Sequence, residues 1–217
     1  MAVRFPRARH GLTAILLIAG IAAMPGLASA QDPHAAPAAQ QKKPPEPPGK
    51  LPKIGADRTR GLDFLFGALK AAPDEASAKH VEARIWALWL HTPSDTAALL
   101  MLRAKAAMDA QQMEVALKLL DAVVKLRPDY VEAWNRRATL YYLQNDYAHS
   151  LEDIEQVLVR EPRHFGALAG LGMIMQDLGD EKRALDAFRK ALALNPHLEK
   201  VPELVKTLTE KVEGRDI

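Results

Sequence analysis

Residues 163–196 read RHFGALAGLGMIMQDLGDEKRALDAFRKALALNP, and this stretch decides the fold. Leu168, Leu171 and Met175 recur at helical spacing, Gly179-Asp180 interrupts the pattern, and Ala184, Phe188 and Ala191 resume it before Pro196 closes the block. The block is 34 residues long, and Pro128, Pro162 and Pro196 mark the same interval twice in succession. A fixed period of this length is the signature of stacked helix–turn–helix units. One unit cannot bury its own apolar face, so neighbours stack into a continuous core and leave a long concave surface. Such an architecture points to binding rather than to chemistry.

Working backward in register, each block places large apolar, small and aromatic residues at matched positions. The last gives Leu168, Leu171, Gly172, Met175, Ala184, Phe188, Ala191 and Pro196. The middle gives Trp134, Arg137, Ala138, Tyr141, Ser150, Ile154, Val157 and Pro162, and the first gives Leu100, Arg103, Ala104, Ala107, Ala116, Leu120, Val123 and Pro128. The small residues let two helix backbones approach where a larger side chain would clash. Gly179-Asp180 and Asn145-Asp146 fall where one helix stops and the next begins, and glycine or asparagine tolerates the left-handed conformation needed there.

On these residues the chain resembles tetratricopeptide repeat (TPR) proteins. The resemblance implies an all-α fold: a right-handed TPR solenoid of antiparallel helix pairs, with repeats at 97–128, 129–162 and 163–196. A degenerate N-terminal helix pair is expected at 57–96, as a pseudo-repeat capping the array. Its first helix opens at Leu62, Pro73 ends it, and Asp74 and Glu75 start the second, on which Val81, Ile85, Leu88 and Trp89 share a face. Residues 197–217 read as a capping helix and tail, with an apolar stripe of Leu198, Val201, Val205, Leu208 and Val212 opposite Lys200, Glu203, Lys206, Glu210 and Lys211.

Residues 1–30 have the build of a secretory signal: Arg4, Arg7 and Arg9, an apolar run from Leu12 to Met24, and Ala28-Ser29-Ala30 as a cleavage site. The run is about 13 residues, short of the roughly 20 that span a bilayer core. Cleavage after Ala30 is the expectation, and an uncleaved inner-membrane anchor is the alternative. Residues 31–56 form a Pro/Ala-rich stretch expected to be a disordered linker, either a tether for the array or a leader without a partner. The order of these parts resembles small exported TPR proteins of alphaproteobacteria, which implies a periplasmic location.

The formal charge of +2 invites a nucleic-acid reading. Removing three arginines from 29 basic residues leaves 26 against 27 acidic ones, a net of −1, and that reading lapses. The absence of cysteine excludes a lipidated cysteine, thiol catalysis and sulfur-ligated metal.

No assembled chemistry is visible, so neither enzymatic activity, a cofactor nor a metal is expected. His149 and Asp153 lie one helical turn apart, but two ligands do not make a site. His164 and His197 follow successive prolines and read as inter-repeat turn residues. Gly170-Leu171-Gly172 sits inside a helix rather than after a strand, so a phosphate loop is not implied; Gly166 and Gly170 are expected to allow close helix packing. The family resemblance places a protein-binding groove on the first helix of each repeat: Ala98, Met101, Lys105 and Met108, then Asn135, Thr139 and Tyr142, then Ala169, Met173 and Gln176. One TPR subclass clamps a terminal carboxylate; the corresponding positions here are Met101, Lys105, Arg136, Gly166 and Gly170, and most of that clamp is missing. Methionines beside Tyr142 suit an extended or helical protein segment with apolar anchors.

Overall fold

A computed structural model describes residues 58–214, which form nine α-helices and no strand. The signal segment, the whole of the proline-rich linker and residues 215–217 lie outside the described residues. Three antiparallel pairs carry the repeats: α3 (Asp95–Asp109) with α4 (Met113–Leu126), α5 (Val131–Leu143) with α6 (Tyr147–Arg160), and α7 (Phe165–Asp177) with α8 (Glu181–Leu194). Before them come α1 (Arg58–Lys70) and α2 (Glu75–Leu90), and after them α9 (Val201–Val212).

The turns inside the repeats are one structure repeated. Gln111, Asn145 and Gly179 have φ of 58°, 59° and 79°, and they occupy equivalent positions. Each is followed by a residue whose N–H reaches back across the turn: Gln112 to Ala107, Asp146 to Tyr141 and Asp180 to Met175, at 2.8, 2.9 and 2.8 Å. This satisfies carbonyls left open at the helix end. Asp146 and Asp180 then cap the next helix by accepting from the amides of His149 and Arg183.

The small residues do what the pattern requires. Ala104, Ala138, Ala116 and Ala184 are at most 2% exposed. A Cβ at Gly172 would stand 2.6 Å from the fully buried Phe188 ring, so only glycine fits. By contrast, the nearest atom to a Cβ at Gly170 is Ile154 Cδ1 at 3.7 Å. The tight approaches are therefore at Gly172 and, against Trp86 at 2.9 Å, at Gly166, whereas a Cβ at Gly170 would make ordinary contact. The middle repeat places Arg137 where the last repeat has Leu171; its guanidinium forks onto Asp153 with two 2.8 Å bonds and reaches Asp121 at 2.8 Å. Its Cζ lies 5.0 Å from the centroid of the Trp134 ring. Asp153, though buried, is thus paired.

The N-terminal pair is present, but it does not take the place of a preceding repeat. A four-residue connector (91–94) joins α2 to α3, the same length as 127–130 and 161–164 between repeats. Yet α2 makes its main contacts with α1 and α5. The register explains why. In line, Glu82 would fall where the repeats have Ala116, Ser150 and Ala184, and Trp89 where they have Val123, Val157 and Ala191, sites that are all at most 1% exposed. A carboxylate and an indole do not fit there. Instead the hairpin lies along the starts of the repeats' first helices. Leu62, Phe66, Leu69, Ile85 and Trp89 form a core with Phe165, flanked by Leu194 and Leu198. At the other end α9 buries Val201 and Leu208, and Arg189–Glu213 and Lys211–Glu181 tie it to α8.

Candidate functional site

The 34-residue register sorts the first-helix residues into four rows. The first row is Ala98, Glu132 and Gly166; the second Met101, Asn135 and Ala169; the third Lys105, Thr139 and Met173; the fourth Met108, Tyr142 and Gln176. Apart from Ala98, the first two rows are buried or half-buried, and exposure is highest in the third row. Glu132 is 2% exposed, and a Cβ on Gly166 would lie 2.9 Å from Trp86 of α2. Met101 is 6% exposed within the α3–α4 core and so leaves the set of accessible groove residues. Asn135 donates to Glu132 at 3.2 Å, and Ala169 is half-buried. Lys105, Thr139 and Met173 are all exposed, as is Gln176, with Met108 and Tyr142 half-buried beside them. Ala98 is exposed as well, at the end of the first row that α2 does not cover.

What covers the first row is the surface of α2. Tyr130, His164 and Leu198 are register equivalents at the entry to successive helices, and all three meet the hairpin. The Tyr130 hydroxyl donates to the Leu90 carbonyl at 2.6 Å, the His164 ring stacks on Trp89 at 4.1 Å, and Leu198 packs on the α1–α2 core. The His164 Nδ1 accepts from the Ala167 amide at 3.0 Å, which leaves its proton on Nε2, 3.4 Å from Glu132 Oε2. The Glu82 carboxylate accepts from Trp86 Nε1 and from Asn195 Nδ2, both at 3.0 Å. Lys79–Glu199 and Arg163–Asp63 pair across the exposed flanks. His164 occupies the inter-repeat turn expected from its place after Pro162, and that turn also docks another helix pair.

The open rows end in a second cluster that the sequence reading did not single out. Tyr142 and Tyr147 both donate to Asp177 Oδ2, at 2.9 and 3.2 Å, linking the far ends of α5 and α7. Burial, with that bond to a carboxylate, pushes the Tyr142 phenol well above its ordinary range; burial also raises Tyr147. Asp177 immediately follows Gln176, so the row position itself was the available signal.

The other candidate chemistry does not assemble. His149 Nδ1 lies 2.7 Å from Asp146 Oδ2, whereas Asp153 is held by Arg137, so the two are drawn to different partners. No group of three metal-ligating side chains occurs among the described residues. Of the clamp positions, Met101 is buried, Arg136 lies 3.3 Å from Glu132, and Gly166 sits under Trp86.

The helix pairs, the left-handed turns and the rows of first-helix residues define a repeat scaffold for protein binding. Tetratricopeptide repeat models match residues 101–152 and 165–198. A TPR repeat-containing protein of Rhizobium etli is 40% identical over 153 residues, covering 70% of this chain and 75% of the relative. The chain belongs to the tetratricopeptide repeat family. Among solved structures, the Sgt2 TPR domain from Aspergillus fumigatus superposes with a TM-score of 0.52 at 23% identity, covering 56% of this chain and 82% of that one. The first TPR of Spaghetti (RPAP3), bound to an HSP90 peptide, gives 0.53 at 15% identity over 57% of this chain and 98% of that one. These two likenesses concern the fold.

Proposed function

We propose that this protein is a non-catalytic periplasmic scaffold that holds an extended or helical protein segment in the open half of its groove, within an envelope assembly. The observation that carries the reading is where the groove stays open: α2 lies over Gly166 at the helix starts, while Lys105, Thr139, Met173 and Gln176 are exposed. Met173, with the half-buried Met108 and Tyr142 beside it, offers a soft apolar bed, which suits apolar anchors on the bound segment. The signal-like residues 1–30 support export to the envelope.

Crosslinking in intact cells followed by mass spectrometry identifies the partner. Capture is then compared for Met173→Glu and Lys105→Glu, both at exposed positions where the fold tolerates change. Loss of capture with unchanged helicity is the expected result. Equal capture by both variants overturns the groove. N-terminal sequencing of the envelope protein checks the location: a chain beginning at Gln31 agrees with export and cleavage, and one beginning at Met1 with a retained anchor. The short apolar run favours the first.

A further inference from the structure

The front of the array presents a repeat-type interface with nothing described upon it. Ala133 and Leu140 of α5 pack into the α3–α4 core, and Ala167 and Ile174 of α7 pack with Ile154 and Val157 of α6. All four are at most 1% exposed. Their equivalents in the first repeat are Leu99 and Ala106. Leu99 is 50% exposed, Leu102 beside it 65%, and Ala106 is exposed too. The helix pair that precedes α3 in the chain lies against α5 and Phe165 instead.

Asp95, Leu99, Leu102 and Ala106 follow one another at spacings of four, three and four, so they share one face of α3, with Arg103 at its margin. We propose that this face pairs with its own copy in a second molecule, α3 against α3 antiparallel about a two-fold axis through Leu99. The choice of occupant rests on charge. Asp95 lies four residues before Leu99 and Arg103 four after it, so the axis sets each Asp95 against the partner's Arg103. Both side chains are exposed, and neither forms an ion pair with a described residue, whereas the nearby Lys105 is paired with Asp109. Ala106 is small enough to allow close approach, and Leu99 and Leu102 supply the apolar centre. A two-fold contact of this kind is self-complementary and closes at two copies.

The chain has no cysteine, so a single introduced thiol reports cleanly. Leu99→Cys in the full chain, mildly oxidised, gives a disulfide-linked dimer, while Thr139→Cys in the open groove does not. Sedimentation from micromolar to near-millimolar concentration shows a reversible dimer. Arg103→Asp weakens it about tenfold, and adding Asp95→Arg restores it. Leu99→Glu with Leu102→Glu abolishes it with circular dichroism unchanged. A monomer at every concentration with no Leu99→Cys crosslink overturns the proposal, as happens if residues 1–57 or another protein cover this face. A dimer of unaltered affinity in the folded Leu99→Glu, Leu102→Glu protein overturns it equally.

Discussion

Replacing Trp89 with alanine tests whether the N-terminal hairpin is clamped along the repeats. Trp89 is fully buried, stacked on His164 at 4.1 Å and packed on Phe165 and Phe66 with ring centroids 5.1 and 6.2 Å away. A buried indole removes about 200 Å² from water, worth about 5 kcal/mol at ~25 cal/mol per Å². Its Nε1 is buried without a hydrogen-bond partner among the described residues, so deletion also removes an unsatisfied donor, returning about 1–3 kcal/mol. The net loss is then about 3 kcal/mol, at the low end of Trp→Ala costs. Phenylalanine keeps most of the ring contact and sheds the orphan donor, so Trp89→Phe costs about 1 kcal/mol or less. Urea unfolding followed by circular dichroism measures both. Because repeats couple chiefly to their neighbours, the alanine variant loses the hairpin first. Trypsin then cleaves after Lys79 or Arg84 in α2 under conditions where the parent resists. An alanine variant within about 1 kcal/mol of the parent, with no new cleavage, refutes the docked hairpin.

Three further outcomes follow from the packing. Gly170→Ala stabilises by up to about 1 kcal/mol, because its Cβ has room and alanine favours the helix, while Gly172→Val, driven into Phe188, costs about 3 kcal/mol or more in thermal unfolding. Arg137→Ala strands the buried Asp153 and costs about 3–5 kcal/mol by denaturation, and the double variant Arg137→Ala, Asp153→Leu recovers most of it. Tyr141, Tyr142 and Tyr147 are all held above the ordinary phenol value of 10, chiefly by burial, so ultraviolet titration shows fewer than half of these three phenols ionised at pH 10. Native phenols that hold their protons more tightly than unfolded ones contribute stability that is complete below pH 10 and is lost as pH rises beyond it.

The repeats were legible because their signals are local. The prolines, the small residues and the turn at Gly179 each act within one helix pair, and period alone aligns them. Gln111 was missed because its left-handed turn is imposed by register rather than by residue type; a non-glycine there costs about 1 kcal/mol, which the neighbouring helices offset. The family resemblance places Met101 in the groove, but the pattern of first-helix positions does not show that in the first repeat it turns into the α3–α4 core. The hairpin's docking place was not legible at all. Glu82 and Trp89 announced that α2 could not stack in line, but its true partners, His164 and Asn195, are remote in sequence and show no shared pattern with it.

That remoteness sets an order of events during synthesis. The hydrogen bond from Asn195 to Glu82 spans 113 residues, and Asp63 and Arg163 are 100 apart. At ribosomal rates of about 5–20 residues per second, α2 emerges on the order of ten seconds before its last partner exists. The repeats can close pair by pair as they appear, since their contacts are local. Of the described helices, α1 and α2 are thus the first made and the last to be seated, and until residue 199 has emerged Trp86 and Trp89 have no complete surface to dock on. A newborn chain of this protein spends its early life with two adjacent indoles unhoused, and whatever shelters them in that interval acts before the folded scaffold exists.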